Sequence, residues 1–196
     1  MKKFERTAEF VTNVSGKKLF RIKALVAFGV VEKGELGGFI EKEDNLSHDG
    51  NAWVTGNAML TGNARVTGNA MVTGNAMVTG NAMVTGDARV TGDARVTGNA
   101  WVTGNAMLTG NARVTGNADY AVVKGFGRYF RTTTFFRCKD KILRVQCGCF
   151  YGDLAQFREI VKKTHGNSKY AKEYLAISDL MELHFSDEEE KQEAAK

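Results

Sequence analysis

Between Asn51 and Gly116 the chain repeats six residues eleven times without an insertion or deletion: Asn or Asp, Ala, a variable residue, Val or Leu, Thr, Gly. A period of six is neither the 3.6 of a helix nor the 2 of a lone strand, so the repeat constrains architecture before any propensity does. Ala-x-Val-Thr alternates small apolar, variable, aliphatic and polar, which predicts a short strand with Ala and Val inward and x and Thr outward. Gly-Asn or Gly-Asp follows each time and marks a turn, because Gly accepts positive φ and Asn or Asp tolerates it. Strand and turn alternating in this way coil the chain into a prism. Collagen would need Gly at every third position and a pentapeptide solenoid a shorter period, and neither fits. The chain of 196 residues also has no Pro, which suits a solenoid that uses nearly every backbone N–H for pairing.

Units such as Val54-Thr55-Gly56-Asn57-Ala58-Met59 resemble the aliphatic-x-x-x-small-x hexapeptide of left-handed parallel β-helix proteins. That resemblance implies three units per triangular coil, about 18 residues per turn and a left-handed wind. Stacking every third unit then gives three outward columns: Trp53/Met71/Arg89/Met107, Met59/Met77/Arg95/Arg113 and Arg65/Met83/Trp101. Large apolar side chains hold seven of these eleven positions, which a solitary solvated prism would not choose. Met, Trp and Arg are also the types enriched in interface cores. Trp53, Met59, Met71, Met77, Met83, Arg89, Trp101, Met107 and Arg113 are therefore the expected partner-binding residues. The competing reading is that Met and Trp only cover neighbouring coils. Thr arrays of this kind can match ice, but each outward Thr here neighbours Met, Trp or Arg rather than a second Thr.

The flanks predict caps. An open end coil presents unpaired backbone groups and invites runaway stacking. Leu19 to Val31 reads as one or two strands over the first coil, Gly34 to Glu41 keeps the small-and-aliphatic spacing, and Asn45 to Gly50 is a worn unit. Beyond the repeat, Arg128–Cys138 and Ile142–Cys147 read as a β-hairpin around Lys139-Asp140-Lys141. Asp153 and Gln156 have capping-box spacing for a helix that places Leu154, Phe157 and Val161 on one face, and His165-Gly166-Asn167 ends it. A second helix over about 169–184 puts Tyr170, Tyr174, Ile177 and Met181 in register. The expected fold is mainly β: a left-handed parallel β-helix of about four to five coils, with an N-terminal strand cap and a C-terminal β-hairpin plus two α-helices. Its divisions are 1–44 for the strand cap and first irregular coil, 45–122 for the β-helix, 123–185 for the C-terminal cap and 186–196 for a disordered acidic tail.

The entry GELGGFIEKEDNLSHDGNAWV, the hexapeptides and the exit CGCFYGDLAQFREIVKKTHG together resemble hexapeptide-repeat proteins common in bacterial phages and prophages. The resemblance runs from about residue 15 to 185. It brings no established catalytic residues, and it implies a non-enzymatic binding protein inside a bacterial host cell. That protein recognises itself or a host protein, and a specific version is a counter-defence inhibitor of a bacterial immune system. A structural scaffold is the alternative.

Other chemistries leave weaker traces. The acyltransferases that share this prism place a catalytic His at a subunit interface. Here no His falls inside the repeat, since His48 lies in the worn coil and His165 and His184 in the C-terminal helices. The three cysteines, Cys138, Cys147 and Cys149, are odd in number and clustered, as expected of reduced thiols. With His165 they form a candidate zinc set that lacks two-pair spacing. No cofactor is called for. Residues 117–150 carry a net +5, and Lys124, Arg128, Tyr129, Arg131 and Arg137 interleave cations with aromatics as a candidate nucleic-acid contact. A half-exposed hairpin would produce the same alternation. No apolar run is long enough to span a bilayer and no charged-then-apolar leader opens the chain, so the expected location is cytoplasmic.

Overall fold

The computed structural model of the protein describes residues 1–186. The acidic tail expected from Ser186 onwards lies, apart from that serine, outside the described residues.

The repeat forms a parallel β-solenoid of about four turns. Each of the eleven units contributes a two-residue strand made of x and the aliphatic residue, from β4 (Trp53–Val54) to β14 (Arg113–Val114). Each strand from β4 to β11 pairs in parallel with the strand three units on, so Trp53 meets Met71, Met71 meets Arg89 and Arg89 meets Met107. The other two columns follow the same rule: Met59–Met77–Arg95–Arg113 and Arg65–Met83–Trp101. All eleven Ala and all eleven Val or Leu of the repeat are completely buried. This is the inward set expected from the alternation, and it makes a continuous apolar core along the axis.

Between coils, the N–H groups of x, Thr and Asn donate to the carbonyls of Ala, Val and Gly one turn later, as in Met71 to Ala88, Thr73 to Val90 and Asn75 to Gly92, each 2.9 Å. At the corners the Asn and Asp side chains stack as ladders, with Asn69 Nδ2 donating to Asp87 Oδ1 at 3.0 Å and Asn75 Nδ2 to Asp93 Oδ1 at 3.0 Å. Corner glycines sit at φ near +70°, as Gly74 and Gly86 do. A Cβ on Gly86 would lie 2.9 Å from the Gly104 nitrogen, so corner and stacking distance both require glycine there.

The first coil begins before the regular repeat. β3 (Leu36–Ile40) pairs in parallel with β5 (Met59–Leu60), and Leu46 bridges to Val66. Upstream, β1 (Phe4–Thr12) and β2 (Lys18–Ala24) form an antiparallel pair that extends the sheet of β3 along the axis. β1 was not visible as a strand in the sequence, because it is an edge strand exposed on both faces over most of its length. The strands expected within 19–31 end at Ala24, and the following residues form turns.

At the other end, a short helical turn at Asn117–Asp119 ends the prism. A four-stranded antiparallel sheet follows, where the sequence suggested a hairpin alone: β15 (Tyr120–Phe126), β16 (Arg131–Arg137), β17 (Leu143–Cys147) and β18 (Phe150–Asp153). One face of it packs on the solenoid core through Phe136, with Cys138 just beyond β16. The other face, with Phe135 and Val145, packs on α1 (Leu154–His165) and α2 (Lys169–Phe185). The Asp153 side chain accepts from the Gln156 N–H and the Gln156 side chain accepts from the Asp153 N–H, closing the expected box. Leu154, Phe157, Val161, Tyr174, Ile177 and Met181 are buried. Tyr170 is not buried and departs from the expected register.

Candidate functional site

The variable position of each unit points away from the axis, but the eleven side chains do not meet the same surroundings. Met59, Met71, Met77, Met83 and Met107 are partly exposed, Arg65, Arg89 and Arg95 are exposed, and Trp101 is 53% exposed. Trp53, expected in the partner surface, is only 1% exposed. The Phe28 and Phe4 rings pack edge-on against it, with centroids 5.4 and 6.4 Å away. It therefore anchors the N-terminal segment to the first coil and is unavailable to a partner. Arg113 folds back along its own corner, where it donates to the Asp93 and Ala112 carbonyls at 3.0 and 2.9 Å. Met107 lies against the C-terminal sheet, its N–H donating to Thr134 Oγ1 at 3.0 Å.

Of the three faces, the Met59 face continues into β3, β2 and β1, and the Trp53 face is closed by aromatic packing at its first strand. The Arg65–Met83–Trp101 face is bracketed instead by two hollows. At its start, Glu43, Asp44, Leu46, Ser47, His48 and Asp49 line an open cleft with Arg65 and Thr67. At its end, Trp101, Thr103, Tyr120 and Val122 line a shallow depression, and the Tyr120 hydroxyl donates to the Trp101 carbonyl at 2.6 Å. Burial pushes the Tyr120 phenol up, which keeps it a donor.

The chemistry of the first cleft is structural. His48 Nδ1 accepts the Lys3 backbone N–H at 3.2 Å, which places the ring proton on Nε2, 2.8 Å from Glu43 Oε1. Hydrogen bonding from His48, and then from Lys2, holds the Glu43 carboxyl below its ordinary range. Both ring nitrogens are thus occupied and Phe4 stacks on the ring at 4.3 Å, so His48 has no lone pair to serve as a base. His165 and His184 lie at the last turns of α1 and α2, away from the prism.

Residues that sequence reasoning passed over close the ends of the solenoid. The first coil leaves carbonyls without a preceding N–H, and donors fill them. Lys3 Nζ donates to the Gly50 and Ala52 carbonyls at 3.2 and 2.9 Å, and Asn45 Nδ2 to those of Gly62 and Ala64 at 3.1 and 2.8 Å. The last coil leaves N–H groups open, and acceptors fill those at Trp101, Met107 and Thr115: Asn117 Oδ1, Thr134 Oγ1 and Asp119 Oδ2. The burial of Lys3 lowers its pKa to about 8, against the opposing pull of Asp49. No sequence signal marked Lys3. The Asn retained in the worn unit could have marked Asn45.

The other candidate sets separate. Cys138 packs into the solenoid-side core, while Cys147, Cys149 and His165 line one cleft beside α1, so three of the candidate zinc residues share a cleft and the fourth does not join them. Among the described residues no group of three or more His, Cys, Asp or Glu is placed to hold a metal ion. The nucleic-acid set divides as well. Lys124 Nζ reaches back to Asn105 Oδ1 at 3.2 Å, and Arg137 bonds the Phe185 carbonyl at 3.0 Å and lies 3.7 Å from Asp119. Arg128, Tyr129 and Arg131 converge on a cleft beside α1. Among the described residues no helix is long and apolar enough to cross a membrane. The chain matches no family model, and no curated protein is similar to it.

Proposed function

We propose that the protein is a non-enzymatic recognition module of the phage hexapeptide-repeat type, a left-handed β-helix that binds a macromolecular partner through its outward columns and self-associates through them. Its specific form is a counter-defence protein that occupies a component of a bacterial immune system. The observation that carries the reading is the Arg65–Met83–Trp101 face. It is a rigid column with a half-exposed indole and no covering segment among the described residues, set between an acidic cleft and an aromatic depression. An exposed Trp flanked by Met and Arg is the composition of an interface hot spot. With Trp53 buried, Arg113 turned back to its corner and Met107 against the C-terminal sheet, the surface keeps Met59, Met71, Met77, Met83, Arg89 and Trp101. A purely structural scaffold would use the same columns only between copies.

The test is affinity capture from a bacterial lysate with wild-type protein and with Trp101→Ala/Met83→Ser, alongside light scattering of the purified proteins. The expected result is a partner or a homo-oligomer present with wild type and lost with the double variant at unchanged melting temperature. A wild type that stays monomeric at tens of micromolar and captures nothing that the double variant fails to capture refutes the reading.

A further inference from the structure

We infer that the C-terminal cap carries a second, separate site: a cleft that takes a nucleotide unit, its base stacked on aromatic side chains and its phosphate held by Arg128 and Arg131. The cleft holds about 200 Å3 between the β16–β18 sheet and α1. Its walls are mainly apolar, with Phe150, Phe157 and Tyr174 supplying aromatic surface. That size accommodates one ring system rather than a peptide or an acyl chain with its headgroup.

Charge and aromatic surface meet at its mouth. The guanidinium groups of Arg131 and Arg128 lie over the Tyr129 ring, 5.1 and 5.6 Å from its centroid. Tyr129 is 64% exposed and the adjacent Phe130 66% exposed. Two exposed aromatic residues between two arginines at one tight turn do not serve the core. Lys162 and Lys163 on the last turn of α1 add positive charge, and the Glu173 carboxylate of α2 is occupied by the Gly127 N–H at 2.9 Å and by Lys169 at 3.5 Å.

The arrangement is built rather than incidental. Phe130 holds a φ of +51°, a left-handed conformation that is rare for a bulky residue and that clusters at ligand clamps. Gly148 has φ +59°, and the space of its missing Cβ is taken by the Arg131 guanidinium, so the β17–β18 turn seats that arginine. The Tyr174 hydroxyl, which bonds the Phe126 carbonyl at 3.4 Å, ties the turn to the helical layer. A planar ring stacked on Tyr129 or Phe130 and an anion on the two guanidinium groups satisfy both features at once. The shared ligand chemistry is a nucleoside monophosphate, either free or as the terminal nucleotide of a single strand.

The experiment uses full-length protein and a fluorescein-labelled ten-nucleotide oligothymidylate, with and without a 5′-phosphate, and unlabelled thymidine monophosphate as competitor. Arg128→Gln/Arg131→Gln should weaken binding at least tenfold and lower the slope of log affinity against log salt by about 0.7, the value for one phosphate contact on a single strand. Tyr129→Leu should weaken it at least about fivefold, the lower end for one stacked base. Competition by the monophosphate identifies a free nucleotide as sufficient, and preference for the phosphorylated strand without such competition identifies a strand terminus. Trp101→Ala/Met83→Ser, which empties the prism face, should leave nucleotide binding unchanged. Undiminished binding in both cleft variants at wild-type melting temperature overturns the inference. So does absence of binding, or displacement by inorganic phosphate as effective as by the monophosphate.

Discussion

Replacing Lys3 by Met tests how the first coil is closed. Lys3 is 3% exposed, and its ammonium donates to the Gly50 and Ala52 carbonyls and lies 4.6 Å above the Phe28 ring. Each carbonyl left buried without a donor costs about 1–3 kcal/mol, and the lost cation–π contact about 1 kcal/mol. Against that, the variant removes a charge whose burial lowers its pKa from 10.5 to about 8, a difference of about 3 kcal/mol between protonation states. The balance is a destabilisation of about 2 kcal/mol at pH 7, or a Tm lower by about 4–8 °C for a chain of this size.

The pH dependence separates this account from a simple packing loss. Because the folded pKa of Lys3 lies below the unfolded one, the unfolded chain binds more protons between about pH 8 and pH 10.5, and the wild type gains stability as pH rises through that window. From Lys3 alone the gain reaches about 2.5 kcal/mol by pH 10, and Lys3→Met has none of it. Tyr174, pushed up to about 12 mainly by burial, acts in the opposite direction above pH 10 in both proteins and cancels in the comparison. Urea unfolding followed by the fluorescence of buried Trp53 reads this end of the molecule. The gap between wild type and variant should widen from about 2 to about 4–5 kcal/mol between pH 7 and pH 10. A gap that is flat or narrows refutes the reasoning.

Two further comparisons use the repeat as its own control. Gly86 and Gly104 have nearly the same φ, +70° and +66°, but a Cβ on Gly86 would press on the next coil while one on Gly104 meets nothing within 4 Å. Gly104→Ala should cost about 1–2 kcal/mol for left-handed backbone and Gly86→Ala at least about 2 kcal/mol more; equal costs in urea titrations would contradict the stacking argument. Trp53 and Trp101 occupy the same place in the hexad, yet Trp53→Ala should cost about 3–5 kcal/mol and Trp101→Ala less than about 1 kcal/mol. Similar losses by calorimetry would mean that the exposed indole is not exposed.

The solenoid was legible because its signal is redundant. Eleven copies of one alternation specify the inward and outward sets and, with three units per coil, the three columns that pair in the structure. α1 was legible for a local reason, the reciprocal bonds of Asp153 and Gln156 beside an apolar face. What escaped is whatever depends on distant chain segments. Trp53 reads as an outward side chain at its own position and becomes core only because Phe4 and Phe28 arrive from outside the repeat. Nothing local distinguishes Arg128 and Arg131, which share a cleft, from Lys124 and Arg137, which turn to Asn105 and Phe185. A strand alternation says which side of a sheet a residue takes, not what covers that side.

The two ends of the prism explain why the flanks are not repeats. The hydrogen bonds that run from x, Thr and Asn of one coil to Ala, Val and Gly of the next leave carbonyls open at the first coil and N–H groups at the last. Those two surfaces are complementary, so bare ends would join head to tail and extend without limit. Donors occupy the first surface, Lys3 and Asn45, and acceptors the last, Asn117, Thr134 and Asp119. Each cap therefore satisfies groups of its own coil and removes them from those through which a second copy would stack. The self-association proposed above therefore uses the sides of the prism, where Met83 and Trp101 stand, rather than its ends.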